Sequence, residues 1–328
     1  MNKGIFRKRN LGLFIKVLIA FVALWFLYRE VQIKNQESDL SQGIDLLLKP
    51  ESLIYLLILL VLMLLNWSLE AYKWKTLIQH IENISLLKSL KAIFSGITIA
   101  IFTPYRVGEY FGRVFHLGKA DRFDATLLTV VGSYAQLVVT LVAGILASIF
   151  FIPKHIGLGP VSEYQYYFIA LLMFGLCVLL VVLFLNTRLL TTVLNRLPIP
   201  KKYHHYIQVF DYHNTATLLK VFLASVARYL VFTFQFYLLL QILNVEIRYD
   251  QAMMMIGMTY FAMTVIPTPA VVELVTRSGV ALLFFGYIVQ NTVGIVVATS
   301  MLWLINLAIP ALIGVLFIFQ LRFFRKSD

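Results

Sequence analysis

The sequence predicts an all-α polytopic membrane protein, with about six transmembrane helices and two re-entrant broken-helix hairpins arranged as inverted repeats. Three observations carry this reading. Apolar residues make up 60% of the 328-residue chain and charged residues 13%, with a mean hydropathy of +0.83. A soluble domain of that size does not bury so much apolar surface. Six runs, at 11–28, 53–72, 125–151, 165–186, 217–243 and 291–319, approach or exceed the roughly 20 apolar residues that a membrane-crossing helix needs. Two further apolar regions, 88–118 and 251–287, are each split at a Thr-Pro pair with a glutamate just beyond: Thr103-Pro104 before Glu109, and Thr268-Pro269 before Glu273.

The elements follow in chain order. The run at 11–28 comes after Lys3, Arg7, Lys8 and Arg9, as in a signal peptide. It ends in Tyr28-Arg29-Glu30 without a small-residue cleavage site, so it reads as an uncleaved first span. The span at 53–72 leads into the first split region. There Pro104 interrupts the helical hydrogen-bond ladder, and each half is too short to cross comfortably. Unpaired backbone does not survive facing lipid, so such a break needs protein or a water-filled cavity around it. The spans at 125–151 and 165–186 follow. The link at 187–216, with Pro198, Pro200, Tyr203, His204, His205 and Tyr206, reads as a short connector. The span at 217–243, a second split region broken around Pro267, Thr268 and Pro269, and the span at 291–319 complete the chain.

Loop charge orients this layout by the positive-inside rule. Lys3, Arg7, Lys8 and Arg9 place the N-terminus in the cytoplasm, and Arg322, Arg325 and Lys326 do the same for the C-terminus. The region around the first break and the connector are also rich in Lys and Arg and read as inside. The first loop is acidic, and the loops near 152–164 and 246–250 carry little positive charge, so these read as outside. Two ordinary spans in place of either hairpin preserve the same alternation; the proline breaks and the short halves are what favour re-entrance. The hairpins then enter from opposite sides. Residues 53–151 and 217–319 form two inverted units, and paired interrupted segments in such units point to a transport site.

The net charge of +12 raises nucleic acid as a partner. The positive residues sit in short loops between apolar spans, with no basic domain to carry them, so the reading is no nucleic acid and contact with anionic lipid headgroups. The single cysteine, Cys177, cannot form an internal disulfide, and no Cys/His spacing suggests a metal. There is no Ser/His/Asp constellation, phosphate-cradling glycine loop or ATP-binding motif. The expectation is a non-enzymatic protein with no catalytic residue, cofactor or metal.

Three features together resemble the transmembrane, flippase-like part of lysylphosphatidylglycerol synthases and their stand-alone relatives. Lys73-Trp74, after a span containing Asn66, is similar to the family's basic-Trp pair. Pro104-Tyr105-Arg106-Val107-Gly108-Glu109 with Arg113 is similar to its Pro-x-x-x-Gly-Glu and following arginine. Pro267-Thr268-Pro269 followed by Glu273 resembles its Pro-Thr-Pro-Gly-Gly stretch and glutamate, with Ala270, Val271 and Val272 where the family has glycines. The chain ends shortly after its last span, so it reads as a stand-alone member without the aminoacyl-transferase domain. The resemblance implies handling of lipid in a bacterial cytoplasmic membrane and not lysine transfer.

Charges inside membrane segments cost roughly 2.5–3.5 kcal/mol each on insertion scales, so they need partners or a task. The candidates for substrate binding and translocation are Arg106, Glu109, Arg113, Arg228, Glu273 and Arg277. Thr103, Pro104, Gly108, Pro267, Thr268 and Pro269 make the helix breaks. Glu109 with Arg113 and Glu273 with Arg277 are four apart, so each pair shares a helix face. An internal salt bridge that pins each hairpin is the competing reading of either pair. Arginines suit a lipid phosphate through charge-assisted, bidentate hydrogen bonds. Glu70 and Lys73, near the end of the span at 53–72, read as snorkelling residues. The function expected is translocation of a phospholipid or related anionic lipid. The alternatives are a scaffold that positions a lipid-modifying enzyme, a headgroup-modifying lipid enzyme, and a solute transporter with re-entrant hairpins.

Overall fold

A computed structural model of the chain describes residues 49–103, 106–186, 213–266 and 273–319, together with Phe14, Val17, Leu18, Phe21, Trp25, Asp45 and Leu46. Most of the span expected at 11–28, most of the connector at 187–216, and the break residues Pro104, Pro267, Thr268 and Pro269 lie outside the described residues. Among the described residues the regular elements are helices and there is no strand. They are α1 (Leu53–Ile78), α2 (Leu86–Ala100), α3 (Gly108–Val114), α4 (Arg122–Phe151), α5 (Glu163–Leu185), α6 (Thr215–Ile242), α7 (Tyr249–Val265), α8 (Glu273–Phe285), α9 (Thr292–Trp303) and α10 (Ile309–Ile318).

Five helical stretches are long and apolar enough to cross a bilayer: Pro50–Ile78, Arg122–Ile156, Glu163–Leu185, Thr215–Ile242 and Thr292–Ile318. They coincide with five of the six expected spans, and the chain is a multi-pass membrane protein. Polar side chains set where several helices begin. Ser85 accepts from the Lys88 amide, Asp121 from those of Phe123 and Asp124, Asn214 from Thr217 and Asn291 from Gly294. Ser162 and Gln165 form a reciprocal capping box at α5. The four helices of the split regions are shorter. α2 has 15 residues, α3 7, α7 17 and α8 13. At about 1.5 Å per residue none of the four reaches the roughly 30 Å of a bilayer core.

The packing follows from which faces are covered. α5 is the most apolar span and is mostly exposed, so it is a peripheral helix with lipid-facing sides. The stretch Thr292–Ile318 is the most buried of the five. α1 runs along α6, α2 packs against α10, and α7 packs against α4. Hydrogen bonds to main-chain carbonyls tie these helices together: Ser89 Oγ donates to Ala71 O at 2.6 Å, Thr98 Oγ1 to Ala311 O at 2.8 Å and Gln235 Nε2 to Leu59 O at 3.0 Å. Bonds of this kind and small-residue contacts hold helices together where lipid removes the hydrophobic drive. The first hairpin is packed backbone to backbone. A Cβ on Gly112 would meet Gly96 Cα at 2.4 Å, and one on Gly108 would meet Ile99 O at 2.7 Å. The neighbours run in opposite order along the two helices, so α2 and α3 are antiparallel.

Glu82, in the loop between α1 and α2, fastens this hairpin to α4. Its carboxylate accepts from Lys88 Nζ at 2.8 Å and from the amides of Gly118, Lys119 and Ala120 at 2.9, 2.7 and 3.0 Å. Partial burial pushes its pKa up, but the bonds from Lys88 and the three amides outweigh burial and lower it from 4.5 to about 2.

Two outcomes follow from these contacts. Gly112→Val forces α2 and α3 apart and lowers the thermal unfolding midpoint in detergent by the equivalent of about 1–3 kcal/mol; an unchanged midpoint would contradict the close packing. Because the folded-state pKa of Glu82 is depressed, its stabilisation is present in full above the ordinary value of 4.5 and is lost as pH falls toward 2. Unfolding midpoints measured from pH 6 down to the acid limit therefore fall less steeply for Glu82→Gln than for the unaltered protein.

Candidate functional site

The charges inside the bundle converge on one carboxylate. Glu70 of α1 is 3% exposed and pairs with three cations from three helices. Lys73 Nζ, one turn on, lies 3.0 Å from Oε2. Arg113 Nη1 of α3 donates to Oε1 at 2.8 Å, and Arg228 Nη1 of α6 donates to Oε2. Lys73 is 1% and Arg113 2% exposed. Groups so far from water are retained only when paired and hydrogen-bonded. Arg228 is held further by a bond from its Nε to Asn66 Oδ1 at 2.9 Å, and its guanidinium stacks 5.3 Å from the Trp67 ring centre.

The sequence reading of Glu70 and Lys73 as snorkelling residues is corrected here. The run 53–72 puts them at a span end, but α1 continues to Ile78 and stays covered. Trp74 Nε1 donates to Thr129 Oγ1 of α4 at 2.9 Å, which keeps this turn against the bundle.

The first break supplies the next layer. Arg113 Nη2 also donates to Glu109, and Arg106 Nη2 lies 3.6 Å from the other Glu109 oxygen. Thr103 closes the turn: its Oγ1 accepts from the Gly108 amide at 3.0 Å and lies 3.1 Å from Ile99 O, to which it donates. Arg106 sits at φ 57°, in the left-handed region where an L-residue is uncommon. Such conformations recur at ligand sites and switches. On the other hairpin, Arg277 Nη2 donates to Glu273 Oε1 at 2.6 Å, as the spacing of four predicts.

Residues of both hairpins line one cavity of about 480 Å³, together with side chains of α1, α4, α6, α9 and the π turn that follows it. Arg106 and Glu109 line it from the first hairpin, Glu273 and Arg277 from the second, and Arg228 and Glu70 from the long helices. Of the six expected site residues, only Arg113 is absent from the lining; it stands behind Glu109 and Glu70 as their shared partner. Glu273 and Arg106, from the two hairpins, line the same cavity. With Arg113, the ion-paired set holds five cations (Lys73, Arg106, Arg113, Arg228, Arg277) against three carboxylates (Glu70, Glu109, Glu273). Among the described residues no cluster of His, Cys, Asp or Glu has the arrangement to hold a metal.

Sequence reasoning missed three contributors. One is the Glu70–Lys73 centre. Another is a π-helical turn at Leu304–Ala308, which widens the helix between α9 and α10. Such turns concentrate at functional sites. Here it presents the Asn306 carbonyl to Trp67 Nε1 at 3.2 Å and the Asn306 side chain to Asn66 at 3.5 Å. The third is Tyr260 of α7, which lines the cavity with a buried hydroxyl that has no hydrogen-bond partner among the described residues.

Removing the central carboxylate leaves Lys73 buried without its ion-pair partner and takes one carboxylate from both Arg113 and Arg228. Glu70→Gln is expected to destabilise the protein by about 3–5 kcal/mol, read as a large drop in the unfolding midpoint and loss of the monodisperse peak in detergent. A variant as stable as the parent would show that Glu70 is not the centre of the ion-pair set.

No curated protein matches the chain in a sequence comparison. The family model described as the lysylphosphatidylglycerol synthase TM region matches residues 13–314. That span contains both hairpins, the Glu70 centre and all the residues around the cavity, and the chain belongs to the lysylphosphatidylglycerol synthase transmembrane-region family.

Proposed function

We propose that this protein translocates a membrane lipid between leaflets, as a flippase- or scramblase-like transporter of a phospholipid or related anionic lipid. The observation that carries the reading is the cavity. It lies among membrane-spanning helices, is lined by charges from both interrupted segments, and holds more cations than carboxylates. Intramembrane ionisable residues that face a cavity mark substrate or ion pathways. The family's name, which refers to a phospholipid synthase, supports lipid as the substrate class.

The helix pairing supports an inverted-repeat mechanism. Exchanging α1 with α6, α2 with α7, and α4 with α9–α10 turns the contact of α2 with α10 into that of α7 with α4. The contact of α1 with α6 maps onto itself. Two units related in this way rock against each other around a central site. In this mechanism the headgroup crosses at the cavity while the acyl chains stay in the bilayer. The arginines take the phosphate, and the glutamates balance them when the site is empty. The membrane is the bacterial cytoplasmic membrane, with both termini on the cytoplasmic side. Movement of one charge through the membrane potential supplies about 2.3 kcal/mol per 100 mV, enough to bias the distribution.

Reconstitution in liposomes tests this. Leaflet exchange of a headgroup-labelled phospholipid is followed for the unaltered protein and for a Glu109→Gln/Glu273→Gln double variant. Exchange well above protein-free vesicles, lowered at least tenfold in the double variant, is the expected result. Folded protein that exchanges no zwitterionic, anionic or amino lipid would sink the reading and favour a scaffold.

A further inference from the structure

The occupant of the cavity can be specified more closely, granting that the protein handles lipid. We propose that the cavity is a subsite for a phosphate dianion, a lipid phosphate monoester in preference to a singly charged phosphodiester, with Arg106, Arg277 and the Tyr260 hydroxyl as its direct donors.

Charge is the first argument. The ion-paired set carries five cations and three carboxylates, so two positive charges remain when every internal pair is made. A phosphodiester offers one negative charge and leaves the set uncompensated. A phosphate monoester carries close to two above its second ionisation near about pH 6. In a site with low-dielectric walls the difference of one charge weighs far more than it does in water.

The donors around the cavity differ in how far they are already engaged. Glu70 engages three cations at once, and Arg228 is further committed to Asn66 and Trp67. Of these, Glu70, Lys73 and Arg228 line the cavity, and Arg113 stands behind them. Arg106 approaches its carboxylate only to 3.6 Å, and its Nε has no hydrogen-bond partner among the described residues. Arg277 holds one carboxylate by Nη2, and its Nε has no hydrogen-bond partner among the described residues. Tyr260 is 8% exposed and lines the same cavity, and its hydroxyl has no hydrogen-bond partner among the described residues. A buried hydroxyl without a partner costs about 1–3 kcal/mol, and a ligand oxygen removes that cost. Three donors from α7, α8 and the first break therefore line one cavity. Arg106 and Arg277 supply forked guanidinium donors that match phosphate oxygens.

The third argument concerns the rest of the ligand. Leu137, Phe232, Met263, Leu302 and Leu307 also line the cavity. An apolar wall beside the donors suits a phosphate joined to a lipid; a free phosphate uses only the donors.

Binding to the full-length protein in detergent tests the assignment. Short-chain phosphatidic acid, short-chain phosphatidylglycerol and inorganic phosphate are titrated at pH 8, with the fluorescence of the cavity tryptophans Trp67 and Trp303 as readout. Phosphatidic acid is expected to bind at least tenfold more tightly than phosphatidylglycerol. Tyr260→Phe and Arg277→Gln, each shown to be folded by its unfolding midpoint, should erode that preference about tenfold while changing phosphatidylglycerol binding less. Equal affinity for the two lipids overturns the dianion assignment, and so does a preference that survives both substitutions. The lipid-transport reading stands or falls separately, on leaflet exchange. Inorganic phosphate binding as tightly as phosphatidic acid upholds the dianion subsite but assigns it to a soluble phosphate, against the lipid source.

Discussion

The arrangement of this protein depends on burying one carboxylate among three cations. Glu70 joins α1 to itself through Lys73, to the first hairpin through Arg113 and to the other half of the chain through Arg228. Each group alone would be costly in a membrane interior. Together they compensate one another, so a displacement of any one helix exposes the charges of the other two. Long-range packing then follows. α1 lies along α6 because Glu70 and Arg228 face each other, and α3 turns inward because Arg113 spans Glu70 and Glu109.

Among the described residues regular helix gives way at several places, three of them beside the cavity: the end of α2 at the first break, the end of α7 at the second, and the π turn at Leu304–Ala308. The first break and the π turn place side chains on the cavity, and α7 and α8, which flank the second, do the same. Backbone that leaves its ladder inside a membrane needs replacement partners. Thr103 provides one at the first break and Trp67 another at the π turn. The same irregularities that cost regular hydrogen bonds therefore shape a polar space within an apolar bundle.

Much of this was legible in the sequence, for physical reasons that differ by residue. The spans show because lipid demands about 20 apolar residues in a row. The pairs Glu109–Arg113 and Glu273–Arg277 show because a helix repeats its face every fourth residue, and both ion pairs form. Glu70 was misread because its position depends on partners 43 and 158 residues away, which no local pattern encodes. The boundary at residue 72 compounded the error, since the helix continues past it to Ile78, with Trp74 bonded to Thr129 of α4. The π turn has no compositional mark. Tyr260 looks like any of the chain's 17 tyrosines until α7 is placed beside the cavity.

The order in which the chain is made gives the Glu70 centre a further consequence. Glu70 emerges from the ribosome 43 residues before Arg113 and 158 before Arg228. Of its three ion-pair partners only Lys73 is made almost at once and belongs to the same helix. α1 can therefore enter the insertion machinery with its acid already matched by a base one turn away, close to neutral as a unit. Arg113 then arrives with the first hairpin, and Arg228 comes only when the second half is synthesised. Until then the first half holds an acid whose full complement of bases is still being translated, so assembly of the two halves is completed at the same residue that later holds them together.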